Sequence, residues 1–148
     1  MISQAAIRFI VPGRPMPGGS KRAFKHAKTG NVITMDANPK VKLWRGVVAV
    51  AARQAYRRPP VMVALKLTVV FRFRRPRSHY GTGRNSTQMK ASAPPHHIQR
   101  PDATKLLRAL EDALTGILWG DDAQIVEQHV SKEWTDGQEQ AEVIVAAV

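Results

Sequence analysis

The chain has 148 residues, with 23 Lys and Arg against 11 Asp and Glu, a formal net charge of +12 and no cysteine. This length suits a single domain, spanning 1–148, with a real core, and the missing cysteines exclude disulfides and zinc–thiolate centres. The opening stretch has Arg8 inside its only short apolar run, so neither a signal peptide nor a membrane span is expected, and a cytoplasmic protein is the default.

Residues Ala5–Val11 read as a short strand that Pro12 and Gly13 end. The prolines and glycines that follow exclude a helix, so a loop is expected to deliver Lys21, Arg22, Lys25 and Lys28. Asn31–Met35 reads as a brief strand. Asn38 then looks like a helix N-cap with Pro39 at the first helical position. Val41, Trp44, Val47, Val48, Ala51, Ala52 and Ala55 recur at helical spacing over Pro39–Arg57. Arg53, Arg57 and Arg58 gather at the end of this helix, where its dipole favours cations. Trp44 and Tyr56 read as packing groups rather than base-stacking ones.

Val61–Phe73 is the clearest strand, rich in β-branched and aromatic residues. Leu65, Leu67, Val69, Phe71 and Phe73 share one parity, and Lys66, Thr68 and Arg72 the other. Residues 74–99 carry no periodic pattern but do carry Arg74, Arg75, Arg77, Arg84 and Lys90. Two readings stand for this basic segment: a mobile loop that orders on nucleic acid, or a solvated insert. Pro101–Thr115 has one apolar stripe of Leu106, Leu107, Leu110, Ala113 and Leu114, and Gly116 follows as a natural stop. Ala123–Trp134 and Ala141–Val148 read as closing strands joined through Thr135-Asp136-Gly137. The fold expected is α+β, a small mixed sheet packed with two main helices.

The charge is unevenly spread. Residues 1–101 hold 20 Lys and Arg and one acid, Asp36, a balance of +19; residues 102–148 hold 10 acids against Lys105, Arg108 and Lys132, a balance of −7. The basic part favours a phosphate backbone. Clustered carboxylates repel such a backbone unless a cation lies between, as in a metal-dependent nuclease. Magnesium takes one or two carboxylates together with water and substrate phosphate. Asp102, at the start of its helix, and the pair Asp121-Asp122 are the candidate ligands, although a helix cap and a turn are also ordinary uses of these acids. Lys105 and Arg108 follow Asp102 by 3 and 6 positions, either to hold the scissile phosphate or as a solvated helix face. No phosphate-binding glycine loop and no H-E-x-x-H zinc pattern is present. Pro101-Asp102 matches the start of the nuclease pattern that ends in acid-x-Lys, but Lys132, the sole lysine after the helix, has Val130 two places before it.

Several stretches together resemble the RusA family of Holliday junction resolvases, small metal-dependent endonucleases common in phages and prophages. They are Arg100-Pro101-Asp102, the Leu106-Leu107-Arg108 register, Asp112-Ala113-Leu114 and Asp121-Asp122-Ala123-Gln124-Ile125-Val126. Val11-Pro12-Gly13-Arg14-Pro15, Gly19-Ser20-Lys21-Arg22 and Trp44-Arg45 extend the likeness over most of the chain. The resemblance implies nicking of four-way junctions or other branched DNA by a homodimer, with magnesium or manganese as cofactor. It carries the essential aspartates onto Asp102 and Asp122, with Asp121 as helper, and the phosphate-handling lysine onto Arg108. Lys21, Arg22, Arg74, Arg75, Arg77, Arg84 and Arg100 would hold the DNA arms with little base specificity. The family's second helix aspartate is Thr104 here, and its neighbouring Asn is Lys105. Asp121 or Asp112 then supplies the charge, or Thr104 suffices, or the protein binds junctions without cutting them well.

Overall fold

In a computed structural model, β4 (Leu65–Arg74) is the axis of a four-stranded sheet of order β1-β6-β4-β5. The structure describes residues 5–19, 21–36 and 38–148, and for residues 21–24 and 33–36 the backbone only. β1 (Ile7–Pro12) and β6 (Gln140–Ala147) are antiparallel neighbours, and β6 is antiparallel to β4. β5 (Ile125–Thr135) lies parallel to β4 at the sheet edge. Parallel neighbours cannot be joined by a tight turn. The connection here is residues 75–124, which include the helix α2 (Ala103–Leu114). The arrangement is α+β with a mixed sheet and two helices, as the pattern of elements predicts.

The alternation in β4 is realised in full. Leu65, Leu67, Val69, Phe71 and Phe73 are all buried, and the intervening residues Lys66, Thr68, Val70 and Arg72 are half-exposed. On that second face, Lys66 pairs with Glu127 at 3.1 Å, and Arg72 pairs with Glu142 at 2.8 Å and Glu133 at 3.5 Å. The apolar face is covered by α1 (Pro39–Ala55) and α2. α1 begins as expected, with Asn38 Oδ1 accepting from the Lys40 amide at 3.0 Å. It buries Val41, Trp44, Val48 and Ala52, and α2 buries Leu106, Ala109, Leu110 and Leu114. Burying the valine and leucine side chains among these contributes roughly 1.5–3 kcal/mol each, which outweighs any local propensity. Gly116 follows the C-cap with φ +87°, a conformation glycine adopts without strain. Among the described residues no helix is long and apolar enough to cross a membrane.

The strand expected over Val61–Phe73 begins only at Leu65, with Val61 in an isolated bridge to Trp119, and the structure departs further from the sequence expectation in three places. Lys21–Lys25, expected as loop, is the strand β2, paired antiparallel with β3 (Val32–Asp36) as a separate hairpin. The side chains of Lys21 and Arg22 lie outside the described residues. Ala123 and Gln124, expected to open a strand, belong instead to a 3₁₀ turn over Asp122–Gln124, and β5 begins only at Ile125.

The basic segment 74–99 is the third. It contains 3₁₀ turns at Arg77–His79 and Gly83–Asn85 and a bridge between Tyr80 and Met89. His97 anchors it: the ring is only 4 % exposed and lies 4.4 Å from both the Phe73 and the Trp134 ring centroids. Burial, then the charge of Lys132, hold the His97 pKa below the ordinary histidine range, which suits a neutral ring packed among aromatics.

Candidate active site

Two clusters of polar side chains lie at opposite ends of α2, both along the edge strand β5. Strand pairing explains why β5 contributes to both. Its register with β4 sets Gln128, Val130, Lys132 and Trp134 beside Leu67, Val69, Phe71 and Phe73, so these four share the helix-covered side of the sheet.

Asp102 is at the first end. It is the N-cap residue of α2, yet its side chain makes no capping hydrogen bond. Its carboxylate lies instead 3.9 Å from Lys105 Nζ, an exposed and therefore weak pair. Lys132 reaches the same place from the sheet, donating to the carbonyls of Gln99 at 2.8 Å and Pro101 at 3.0 Å. Burial pushes the Lys132 ammonium below the ordinary lysine range, and the Asp102 charge partly restores it. Arg100, Pro101, Asp102 and Lys105 line a cavity of about 260 Å³ with Pro17. The N-terminal loop passes directly over the helix, with the Gly18 amide donating to the Lys105 carbonyl at 2.9 Å. Gly19, at φ +94°, lies against the Arg108 guanidinium so closely that a Cβ there would strike it.

Asp122 is at the other end. Its Oδ1 accepts from the Thr115 hydroxyl and, at 3.0 Å, from the indole N–H of the buried Trp119. Asp122 Oδ2 has no hydrogen-bond partner among the described residues. Glu111, one turn before Thr115 on α2, stands beside it. Burial, and then the neighbouring Asp122 charge, raise the Glu111 pKa, while the hydrogen bond from the Gln128 amide partly offsets them. The ionised Glu111 is therefore disfavoured in the folded chain relative to the unfolded one. The contribution of this group to stability therefore falls as pH rises from the ordinary glutamate value through the raised folded one. Glu111→Gln is expected to raise the melting temperature at neutral pH in EDTA, with the gain vanishing in acid, where both chains are neutral at this position. Melting curves across pH check this, and a lower melting temperature for the variant at pH 7 would contradict it.

Asp121 has a different role. Its Oδ1 accepts from the Ala123 amide at 2.8 Å, and Gln124 Oε1 accepts from the amides of Gly120 and Asp121, both at 2.9 Å, closing a capping box. Gln124 Nε2 donates to the carbonyls of Val61 and Val63 at 2.8 and 3.0 Å. The D-D-x-Q stretch thus pins its own turn to the segment before β4, which leaves Asp122 as the acid projecting from it. Asp112, the other acid considered for the missing charge, lies 3.9 Å from Arg45.

The expected ligands Asp102 and Asp122 are not brought together within one chain. Asp102 and Thr115 are 13 positions apart at the two ends of a continuous helix, roughly 20 Å along its axis. Asp122 is hydrogen-bonded to Thr115, so its carboxylate stays at that far end. Magnesium binds oxygens at about 2 Å, which keeps its ligands within about 4 Å of one another. A single ion does not fit both residues of the same chain. At the Asp122 end, Glu111 is the acid that sequence reading misses, near enough for the Asp122 charge to act on it. Its only signal is an acid on the flank of the α2 apolar stripe. Among the described residues no three His, Cys, Asp or Glu side chains converge on one point.

The arginines expected on DNA divide into two groups. Arg74 donates to the Gly137 carbonyl at 3.1 and 3.3 Å, and Arg75 donates to the Pro94 carbonyl at 2.8 Å while stacking over Trp134. These two hold the fold together. Arg77, Arg84 and Arg100 are all exposed.

No curated protein matches the chain. The family model described as endodeoxyribonuclease RusA matches residues 12–146. That span takes in both ends of α2, β5 and the loop over Arg108, and the chain belongs to the RusA family of endodeoxyribonucleases, which act on Holliday junctions.

Proposed function

We propose that the protein is a divalent-metal-dependent endonuclease that nicks four-way junctions and other branched DNA as a homodimer. The observation that carries this reading is the Asp122 carboxylate, oriented through one oxygen by Thr115 and Trp119 and unengaged at the other, beside Glu111. Asp102, spared from capping, is its counterpart at the opposite helix end. A two-fold axis crossing α2 near its midpoint exchanges those ends, so that Asp102 of one protomer approaches the Asp122 turn of its partner. Two-fold dimers are the commonest soluble homo-oligomers, and two symmetric strands call for two symmetric sites. Each site then combines Asp122 and Glu111 of one protomer with Asp102 of the other.

Magnesium or manganese bound there supplies a water of lowered pKa and a Lewis acid at the phosphate. The chain's own part is positioning and charge. Thr115 and Trp119 fix the Asp122 carboxylate. Lys132 holds the backbone that leads into Asp102. Arg108 and Lys105 contact the phosphate near the cut, Arg108 through a planar fork and Lys105 as a point charge. Arg77, Arg84 and Arg100 grip the duplex arms through their backbones, with little sequence preference.

A second reading, binding of junctions without cutting, is favoured by Thr104 in place of an aspartate and by the absence of a three-ligand cluster among the described residues. One assay separates the two. A labelled synthetic four-way junction with purified protein and magnesium should acquire symmetric nicks that EDTA prevents, while linear duplex stays whole. A junction bound yet intact under both conditions would establish the second reading.

A further inference from the structure

The guanidinium groups that the fold leaves unengaged are not scattered evenly. Arg14 is paired with Glu139 at 2.8 Å, Arg72 with Glu133 and Glu142, Arg74 with the Gly137 carbonyl and Arg75 with the Pro94 carbonyl. Arg53, Arg57 and Arg58 have no carboxylate or hydrogen-bond partner among the described residues. All three are exposed, and they converge on one cleft of about 350 Å³. No acidic residue lines it. Tyr56 completes one wall, and Gly116 and Ile117 form another.

Complementing the α1 dipole accounts for only part of this gathering. Arg53 is in the last turn of α1, but Arg57 and Arg58 come after the C-cap residue Tyr56. The Tyr56 hydroxyl donates to the Pro59 carbonyl at 2.9 Å, folding the chain into a turn with the two arginines at its tip. Three cations lining one cleft repel one another, and no carboxylate among the described residues pairs with them. Position supplies the second argument. Thr115 orients Asp122, and the next two residues wall the cleft. A strand whose phosphate lies at Asp122 has this basic hollow immediately beside it.

Resting on the nuclease reading above, we propose that this cleft binds the phosphodiester backbone of a duplex arm next to the cut, through Arg53, Arg57 and Arg58. The recognition is of charge and shape, because guanidinium forks match phosphate oxygens and no base-reading element lines the cleft. It gives the Asp122 end of α2 its own DNA contact, separate from Arg100 and Lys105 at the Asp102 end.

The test measures junction affinity in EDTA, where no cutting occurs, across a range of salt concentrations. Arg57→Ala/Arg58→Ala is compared with wild type and with a variant of equal charge loss elsewhere, Arg8→Ala/Lys40→Ala. Every phosphate that the protein ceases to neutralise should lower the slope of log affinity against log salt by about 0.9, so the cleft variant should lose roughly 2 units of slope and about tenfold or more in affinity. A linear duplex should show the same loss. Adding Arg53→Ala should deepen it, with melting temperatures unchanged. A cleft variant indistinguishable from the charge-matched control would overturn the proposal. If wild type cuts the junction and the cleft variant binds like the control, the nuclease reading survives and only the cleft falls. If wild type neither binds nor cuts, both fall.

Discussion

Asp122→Asn is expected to reduce magnesium-dependent nicking of a four-way junction by about 10³-fold or more, while junction affinity in EDTA stays the same or improves. The substitution preserves shape. The asparagine carbonyl oxygen still accepts from the Thr115 hydroxyl and the Trp119 indole, so the turn and its packing should persist. Only the negative charge is removed, and with it the attraction for a divalent cation. Without metal that charge repels DNA, which is why its removal favours binding as it abolishes cutting. Denaturation curves matching wild type, beside abolished activity, would locate the effect in the chemistry. Wild-type nicking rates in the variant would remove Asp122 from the site.

Lys132→Met is expected to separate stability from activity in a different proportion. The lysine donates to two carbonyls just before Asp102, so its removal leaves the Gln99 and Pro101 oxygens without that partner. Unsatisfied buried acceptors cost about 1–3 kcal/mol. Gln99 is exposed, so its carbonyl can turn to water, and methionine also relieves the desolvation of a half-buried ammonium. The stability loss should therefore be near the lower limit, about 1 kcal/mol. Activity should fall further, roughly 10- to 100-fold, because groups that orient catalytic ligands have effects of that size. Urea denaturation and nicking rates measured on the same preparation check both numbers. A large stability loss with nicking unchanged would show that the clamp on Asp102 is irrelevant to the reaction.

Much of this architecture is legible before any coordinates. The strict alternation of Leu65 to Phe73 declares a half-buried strand, and the single stripe of α2 declares an amphipathic helix, because both periods follow from backbone geometry. The hairpin is not legible. Lys21–Lys25 is mostly basic, and its strand pairing with Val32–Asp36 is a tertiary fact. The order in residues 74–99 is hidden for a similar reason. His97 reads as one of several loop histidines until Phe73 and Trp134, 24 and 37 positions away in sequence, close on it.

The candidate acids can be named from the sequence, but their arrangement cannot. A helix read over Pro101–Thr115 already separates its two ends by about 20 Å. What stays hidden is that the twin-acid turn folds back on Thr115 rather than on Asp102. Glu111 is equally hidden, because only the register of β5 brings Gln128 to it and the turn brings Asp122. Asp121 looks equivalent to Asp122 in sequence, and only the capping box tells them apart.

The shared-site account is tested most directly by subunit complementation. Asp102→Asn and Asp122→Asn chains, given different affinity tags and co-expressed, can be purified as the mixed dimer and incubated with a four-way junction and magnesium. Each mutant homodimer should be inactive. The mixed dimer retains one whole site, Asp102 from one chain facing Asp122 from the other, and should nick a single strand without completing resolution. A mixed dimer as inactive as its parents would mean that each chain needs both of its own aspartates, contrary to a site built across the two-fold axis.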